Sequence, residues 1–313
     1  MLITTKNPLF SEPPKPWYSL IILVLMFFAG MFIGQFIGLL ISVLTTDLSL
    51  AEVPELLSLP LTEEKRAAIL MLQGLGAIGG FIIAGLIYLV IVERIQLSAL
   101  FNLKQINLWA IILTTVIVIS FMFVNTIFIE WNMNLTFPGF MSGFEEWARE
   151  KEEELKLVTD FLTEFGSFSQ FIIVFLVVAV IPGIGEELIF RGILQNKFHL
   201  MFKNIHVAIL VTAVLFSGLH MQFFGFVPRL FLGLLFGYIY YWSGNLWYPI
   251  LGHFVNNGFT LILIYLYQAG HIGIDIEVQE AYPLNIILIF AVITISMLIS
   301  IAKPFPYQKQ TDE

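Results

Sequence analysis

Three short groups of polar residues interrupt an otherwise apolar sequence, and each could do chemistry. The first is Glu186-Glu187-Leu188-Ile189-Phe190-Arg191, which follows Ile181-Pro182-Gly183-Ile184-Gly185. Proline and glycine there can kink a helix and open its backbone. Glu187 and Arg191 are four residues apart, so they share a helix face and can pair. Glu186 points about 100° away around the helix and stays free of that pair. One carboxylate is then an ion-pair partner and the other is available as a general base. The second group is Phe216-Ser217-Gly218-Leu219-His220, whose small residues allow close helix approach beside the imidazole. The third is His253-Phe254-Val255-Asn256-Asn257, where His253 and Asn257 at i and i+4 can point into one cavity. Each group also has an inert reading: a charged helix end at the water interface, a satisfied core histidine, an interhelical hydrogen-bond pair.

The elements that must position these groups follow from composition. Of 313 residues, 58% are hydrophobic and 12% charged, with a mean hydropathy of +0.89. A soluble domain carries about 25% charged residues, so lipid must be the main solvent of the exterior. The net charge of −8 argues against a nucleic-acid partner. With no Cys, disulfides, thiolate metal sites and thiol nucleophiles are excluded.

Charges cluster between long uncharged runs: 18–44, 67–92, 105–129, 165–185, 205–228, 230–274 and 281–302. A helix needs about 20 apolar residues to cross the hydrocarbon core. Six runs suit one crossing each. The longest, 230–274, suits two, broken at Ser243-Gly244-Asn245. The expected fold is an all-α polytopic transmembrane bundle of about eight spans around an interior polar cavity. The first uncharged run is too long for a signal-peptide core and no A-x-A site follows it, so it reads as a retained helix.

With eight spans both termini lie on one side. Nine Lys and Arg on that side against six on the other favour cytoplasmic termini. Between Glu130 and Glu164, Phe144, Trp147, Leu155, Val158, Leu162 and Phe165 recur at helical spacing opposite a row of glutamates, which predicts an amphipathic helix at the membrane surface or capping the bundle. His271, Asp275, Glu277 and Glu280 read as a solvated loop. The chain divides into a membrane region with the acidic helix at 1–165, a core at 166–267, and a last span with tail at 268–313.

Depth joins the three polar groups. If the span carrying Glu186 continues to Lys197, Glu186 lies about ten residues, or ~15 Å, inside. His220 lies about sixteen residues beyond Asn204, and His253 two turns beyond Leu246. All can meet in the cytoplasmic half or near the midplane. Ionisable groups at such depth tend to face the bundle interior and mark a functional site.

In this order, Glu186-Glu187-xxx-Arg191, Phe216-xxx-His220 and His253-xxx-Asn257 resemble the EExxxR, FxxxH and HxxxN/D motifs of the CPBP family. These are the CAAX-processing and bacteriocin-processing intramembrane proteases, also called the Abi family. The likeness covers about 174–260. It implies a helical membrane bundle with a cavity open to the cytosol, proteolysis of a membrane-associated and in some members lipidated substrate, and a bacterial inner-membrane location. On that basis Glu186 is the general base for a water nucleophile and His220 orients the water. His253 and Asn257 donate to the oxyanion, while Glu187 and Arg191 hold the Glu186 helix. No cofactor is needed in this version. A metal version uses Glu186, His220 and His253 as a His₂Glu zinc set. Two other functions stay open at this point: a non-catalytic immunity or scaffold protein, and a transporter or proton pathway, against which no inverted repeat is found.

Overall fold

The computed structural model describes residues 15–46, 48–57, 60–103, 106–273 and 281–302. The regular elements among them are helical. They are α1 Pro16–Thr45, α2 Glu63–Val92, α3 Leu108–Met133, α4 Ser142–Thr163, α5 Phe168–Phe202, α6 Ile205–Gly218, α7 Phe226–Ser243, α8 Trp247–Gln268 and α9 Leu284–Ala302. Asp275, Glu277 and Glu280 lie outside the described residues.

Among the described residues six helices, where eight were expected, are long and apolar enough to cross a bilayer: α1, α2, α3, α5, α8 and α9. The chain is an integral membrane protein. The two remaining expected spans differ for physical reasons. Run 205–228 does not form one helix; it stops at Gly218 and resumes at Phe226. The resulting α6 has 14 residues, ~21 Å of rise, too short for a core of about 30 Å. In α7, Arg229 stands in the first turn and Tyr240-Tyr241-Trp242 near the end, which dilutes its apolarity. These two helices form an antiparallel hairpin against the second half of α5. The predicted break after Ser243 is present, with Gly244 in the left-handed region at φ +62°, where a side chain is strained.

Because the hairpin enters and returns, both described ends still lie at one end of the bundle. Ser19 near the start of α1 bonds to Tyr88 and Glu93 at the end of α2. Ile301 of α9 packs with Ala110 near the start of α3. The intervening segment ties that end to the α7–α8 turn: Asn245 donates to the Asn102 carbonyl at 2.9 Å, and the Tyr248 hydroxyl accepts from the Asn107 N–H at 2.9 Å. A buried ion pair between Lys197 and Glu93 joins α5 to the same cluster.

At the opposite end, α4 is the predicted amphipathic helix. Val158, Leu162 and Phe165 pack with Ile69, Phe171 and Val174. Arg66 donates to the Leu162 and Glu164 carbonyls at 3.3 and 2.9 Å. Gln268 bonds both Thr163 and Phe165. Buried apolar clusters cross the divisions drawn at residues 165 and 267; one unites Leu23, Tyr88, Leu188, Ile193, Tyr240 and Ile250.

This arrangement predicts a labelling pattern. The cysteine-free chain allows single Lys15→Cys and Glu153→Cys variants to report on each end. A membrane-impermeant maleimide on intact cells should label one and not the other. Equal labelling of both would contradict the arrangement.

Candidate active site

Site geometry begins with α5, a 35-residue helix widened by π-helical turns at Leu176–Val180 and Leu188–Gln195. Such turns often flank functional residues. Between them stand Pro182, Glu186 and Glu187. Pro182 has no N–H to give the carbonyl four residues earlier, that of Val178. Asn257 fills the gap from α8: its Nδ2 donates to Val178 O at 3.0 Å, while its Oδ1 accepts from Asn256 at 3.0 Å. Asn257 thus braces α8 against α5 just above Glu186.

Glu187 and Arg191 pair as their spacing predicts. Both side chains are fully buried, with Arg191 Nη1 donating to Glu187 Oε1 at 2.8 Å. The other guanidinium arm donates to the Gly233 carbonyl at 2.9 Å. Phe216, Phe236 and Phe190 surround the cation at 4.8, 5.5 and 5.9 Å from their ring centres. Such aromatic contact gives a desolvated cation part of what water would supply.

His253 joins the same carboxylate: its Nδ1 donates to Glu187 Oε1 at 2.8 Å. A carboxylate only accepts, so this partner puts a proton on Nδ1; in the neutral ring Nε2 is then an acceptor. The ring stacks on Phe236 at 5.5 Å and meets Phe216 edge-on at 5.9 Å. Nε2 then faces Glu186 Oε2 at 4.0 Å, and that oxygen is buried with no hydrogen-bond partner. His220 stands on the far side of Phe216, ring centres 5.2 Å apart. Its Nδ1 is held by the Phe216 carbonyl at 2.8 Å, so its Nε2 is also an acceptor. Glu186, His253 and Arg229 all lie within electrostatic reach of it.

Of the six expected residues, Glu186, Glu187, Arg191 and His253 therefore meet directly, His220 joins through Phe216, and Asn257 braces from one turn away. Among the described residues no group of three His, Asp or Glu side chains that could hold a metal ion is found. Sequence reasoning missed the Glu187–His253 bond, the phenylalanine cage and Arg229. For Asn257 it offered an oxyanion role or an interhelical hydrogen bond, without naming Val178 as the partner. Pro182 was the available signal for Asn257, since any helical proline leaves a carbonyl in need of a donor.

Residues 168–259 match the family model described as type II CAAX prenyl endopeptidase Rce1-like. That segment runs from the first residue of α5 into α8 and contains all six site residues, so the likeness read from the three motifs is also found by a family model over this part of the chain. A curated relative, "Uncharacterized protein YpbD" of Bacillus subtilis (strain 168), is 30% identical over 74 residues, covering 22% of this chain and 34% of that protein. The chain thus spans about a third of the length of the curated relative it matches. No solved structure matches significantly.

The two glutamates should separate in stability. Glu187→Ala strands a buried guanidinium and should cost about 3–5 kcal/mol. Glu186→Gln should stay within about 0.5 kcal/mol, as for a site outside any such network. Thermal unfolding in detergent checks this, and equal losses would contradict the division of roles.

Proposed function

We propose that the chain is an intramembrane endopeptidase that hydrolyses a peptide bond of a membrane-associated, lipidated protein or peptide with a water activated by Glu186. One observation carries this reading: Glu186 Oε2 and His253 Nε2, both acceptors when the imidazole is neutral, face each other at 4.0 Å in a buried site. They cannot bond each other, and the distance exceeds a direct hydrogen bond. One water between them, at about 2.8 Å from each, donates a hydrogen to both and turns its lone pairs away. That is the orientation a nucleophile needs.

Glu186 takes one proton as the oxygen attacks the substrate carbonyl carbon, giving a tetrahedral oxyanion. It then delivers the proton to the amine nitrogen as the C–N bond breaks. Glu187 holds the His253 ring in position, as a buried carboxylate does for the histidine of a hydrolytic triad. His220 supplies a third acceptor near the water, within electrostatic reach of Glu186. Asn257 keeps one amide N–H beyond the one spent on Val178, which serves the oxyanion.

The bilayer supplies both solvent and substrate. The excess of basic residues in the segments flanking the terminal end supports termini in the cytoplasm of a bacterial inner membrane. The α4 end then faces the other compartment, the reverse of the cytosolic opening that the resemblance implies. The labelling pattern described for Lys15→Cys and Glu153→Cys decides between these.

The test is cleavage by purified full-length protein of a fluorescence-quenched peptide bearing a prenylated cysteine near its C-terminus. Glu186→Gln should lower the rate by about 10²–10⁴-fold, the usual worth of a general base. The same variant should co-purify with intact membrane peptides that wild type does not retain. Undiminished cleavage by Glu186→Gln would end the assignment. Loss on chelation with recovery on zinc would recast Glu186, His220 and His253 as ligands.

A further inference from the structure

His220 does not sit on a helix. It stands in the 219–225 turn between α6 and α7, where the backbone is strained: the next residue, Met221, has φ +54°. A non-glycine residue occupies that left-handed region only when its surroundings hold it there.

The surroundings come from α3, α4 and the segment between them. Asn132 at the end of α3 donates to the Phe223 carbonyl at 3.3 Å and accepts from the Val227 N–H at 2.8 Å. The Phe223 ring packs between Phe137 and Phe144 at 5.1 and 5.4 Å. The Arg149 guanidinium lies over the Phe224 ring at 4.3 Å. Arg149 is itself fixed by Glu145 at 2.8 Å and the Leu135 carbonyl at 2.9 Å. Glu152 Oε1 accepts from Gln222 at 3.2 Å.

On the inner side of the turn the chain of contacts continues toward the site. Arg229 donates to the Gln222 side chain and, at 3.4 Å, to its carbonyl. Gly225 makes room for it, since a Cβ there would lie 2.5 Å from Arg229 Nη2. Glu186 and Glu152 both lie within electrostatic reach of Arg229. The acidic helix is thus connected through Gln222 and Arg229 to the neighbourhood of the reacting carboxylate.

We propose that α4 is the outer wall of the active site, and that Arg149 and Glu152 are positioning residues that hold the 219–225 turn and so fix His220 beside Glu186. The functional weight of this rests on the protease reading; the placement of His220 does not.

The test reads His220 directly. Purified full-length protein in detergent is treated with diethyl pyrocarbonate, and acylation of each of the five histidines is followed by mass spectrometry. In Arg149→Ala and Glu152→Ala, His220 should react about tenfold faster, the population shift expected on losing a charge-assisted contact. Buried His253 and exposed His199, His206 and His271 should react as in wild type. Glu152→Gln keeps an acceptor for Gln222 and should restore the wild-type rate. As a second arm, a bismaleimide joining Glu152→Cys to Gln222→Cys in this cysteine-free chain should slow His220 acylation below wild type. The proposal is overturned if His220 is unaffected in the alanine variants, if all five histidines accelerate together, or if the two cysteines do not join. Acylation needs no substrate, so a protein that cleaves nothing still answers the question. If cleavage is present, Glu152→Ala should lower kcat together with its faster His220 acylation, whereas Glu186→Gln should lower cleavage by about 10²–10⁴-fold.

Discussion

A guanidinium with no access to water organises this half of the bundle. An ion buried at membrane depth needs partners in place of water. Arg191 draws them from four helices at once, with its Nε and Glu187 Oε2 left without a hydrogen-bond partner. Glu187 belongs to its own helix, the Gly233 carbonyl and Phe236 ring to α7, the Phe216 ring to α6, and His253 reaches the shared carboxylate from α8. Moving any one helix would leave a charge or a polar atom unsatisfied. The four are thereby locked in relative height and rotation, and Glu186, next to the pair yet outside it, is held facing His253 without being consumed by a structural bond.

The rest of the fold serves that lock. The N-terminal helices buttress α5 at the terminal end through the Ser19, Tyr88, Glu93 and Lys197 cluster. At the other end α4 is pinned by Arg66 and Gln268. The short α6 stops at the level of the reacting groups instead of crossing the bilayer. That ending places a polar turn with an imidazole between the helices, where Leu219 and Met221 are exposed and Phe224 is buried. Irregular backbone within a bilayer needs protein cover, and α3 and α4 supply it on the side of Phe223 and Phe224.

Much of the site was legible in the sequence because helical spacing is a strong geometric rule. Residues at i and i+4 share a face, so the Glu187–Arg191 pair and the freedom of Glu186 followed from numbering alone. The uncharged runs located six crossing helices, and Ser243-Gly244 located a turn. What was not legible depends on contacts between distant segments. Nothing near Glu187 announces His253, 66 residues away. An uncharged run was also taken as one helix at 205–228, because apolarity reports burial and not continuity. Phe216 read as half of a motif, whereas its ring is the partition between His220, His253 and Arg191.

The brace between Asn257 and the Val178 carbonyl makes two distant positions interdependent. The proline at 182 creates a carbonyl lacking a partner, and only a side chain with a hydrogen to give can complete it. An aspartate at 257 would bring two more acceptors to that carbonyl and repel it. The two acceptable letters of the third motif are therefore unequal in this chain. Aspartate belongs with a backbone that has an N–H at position 182, and asparagine with the proline found here, so the two sites are free to change only as a pair.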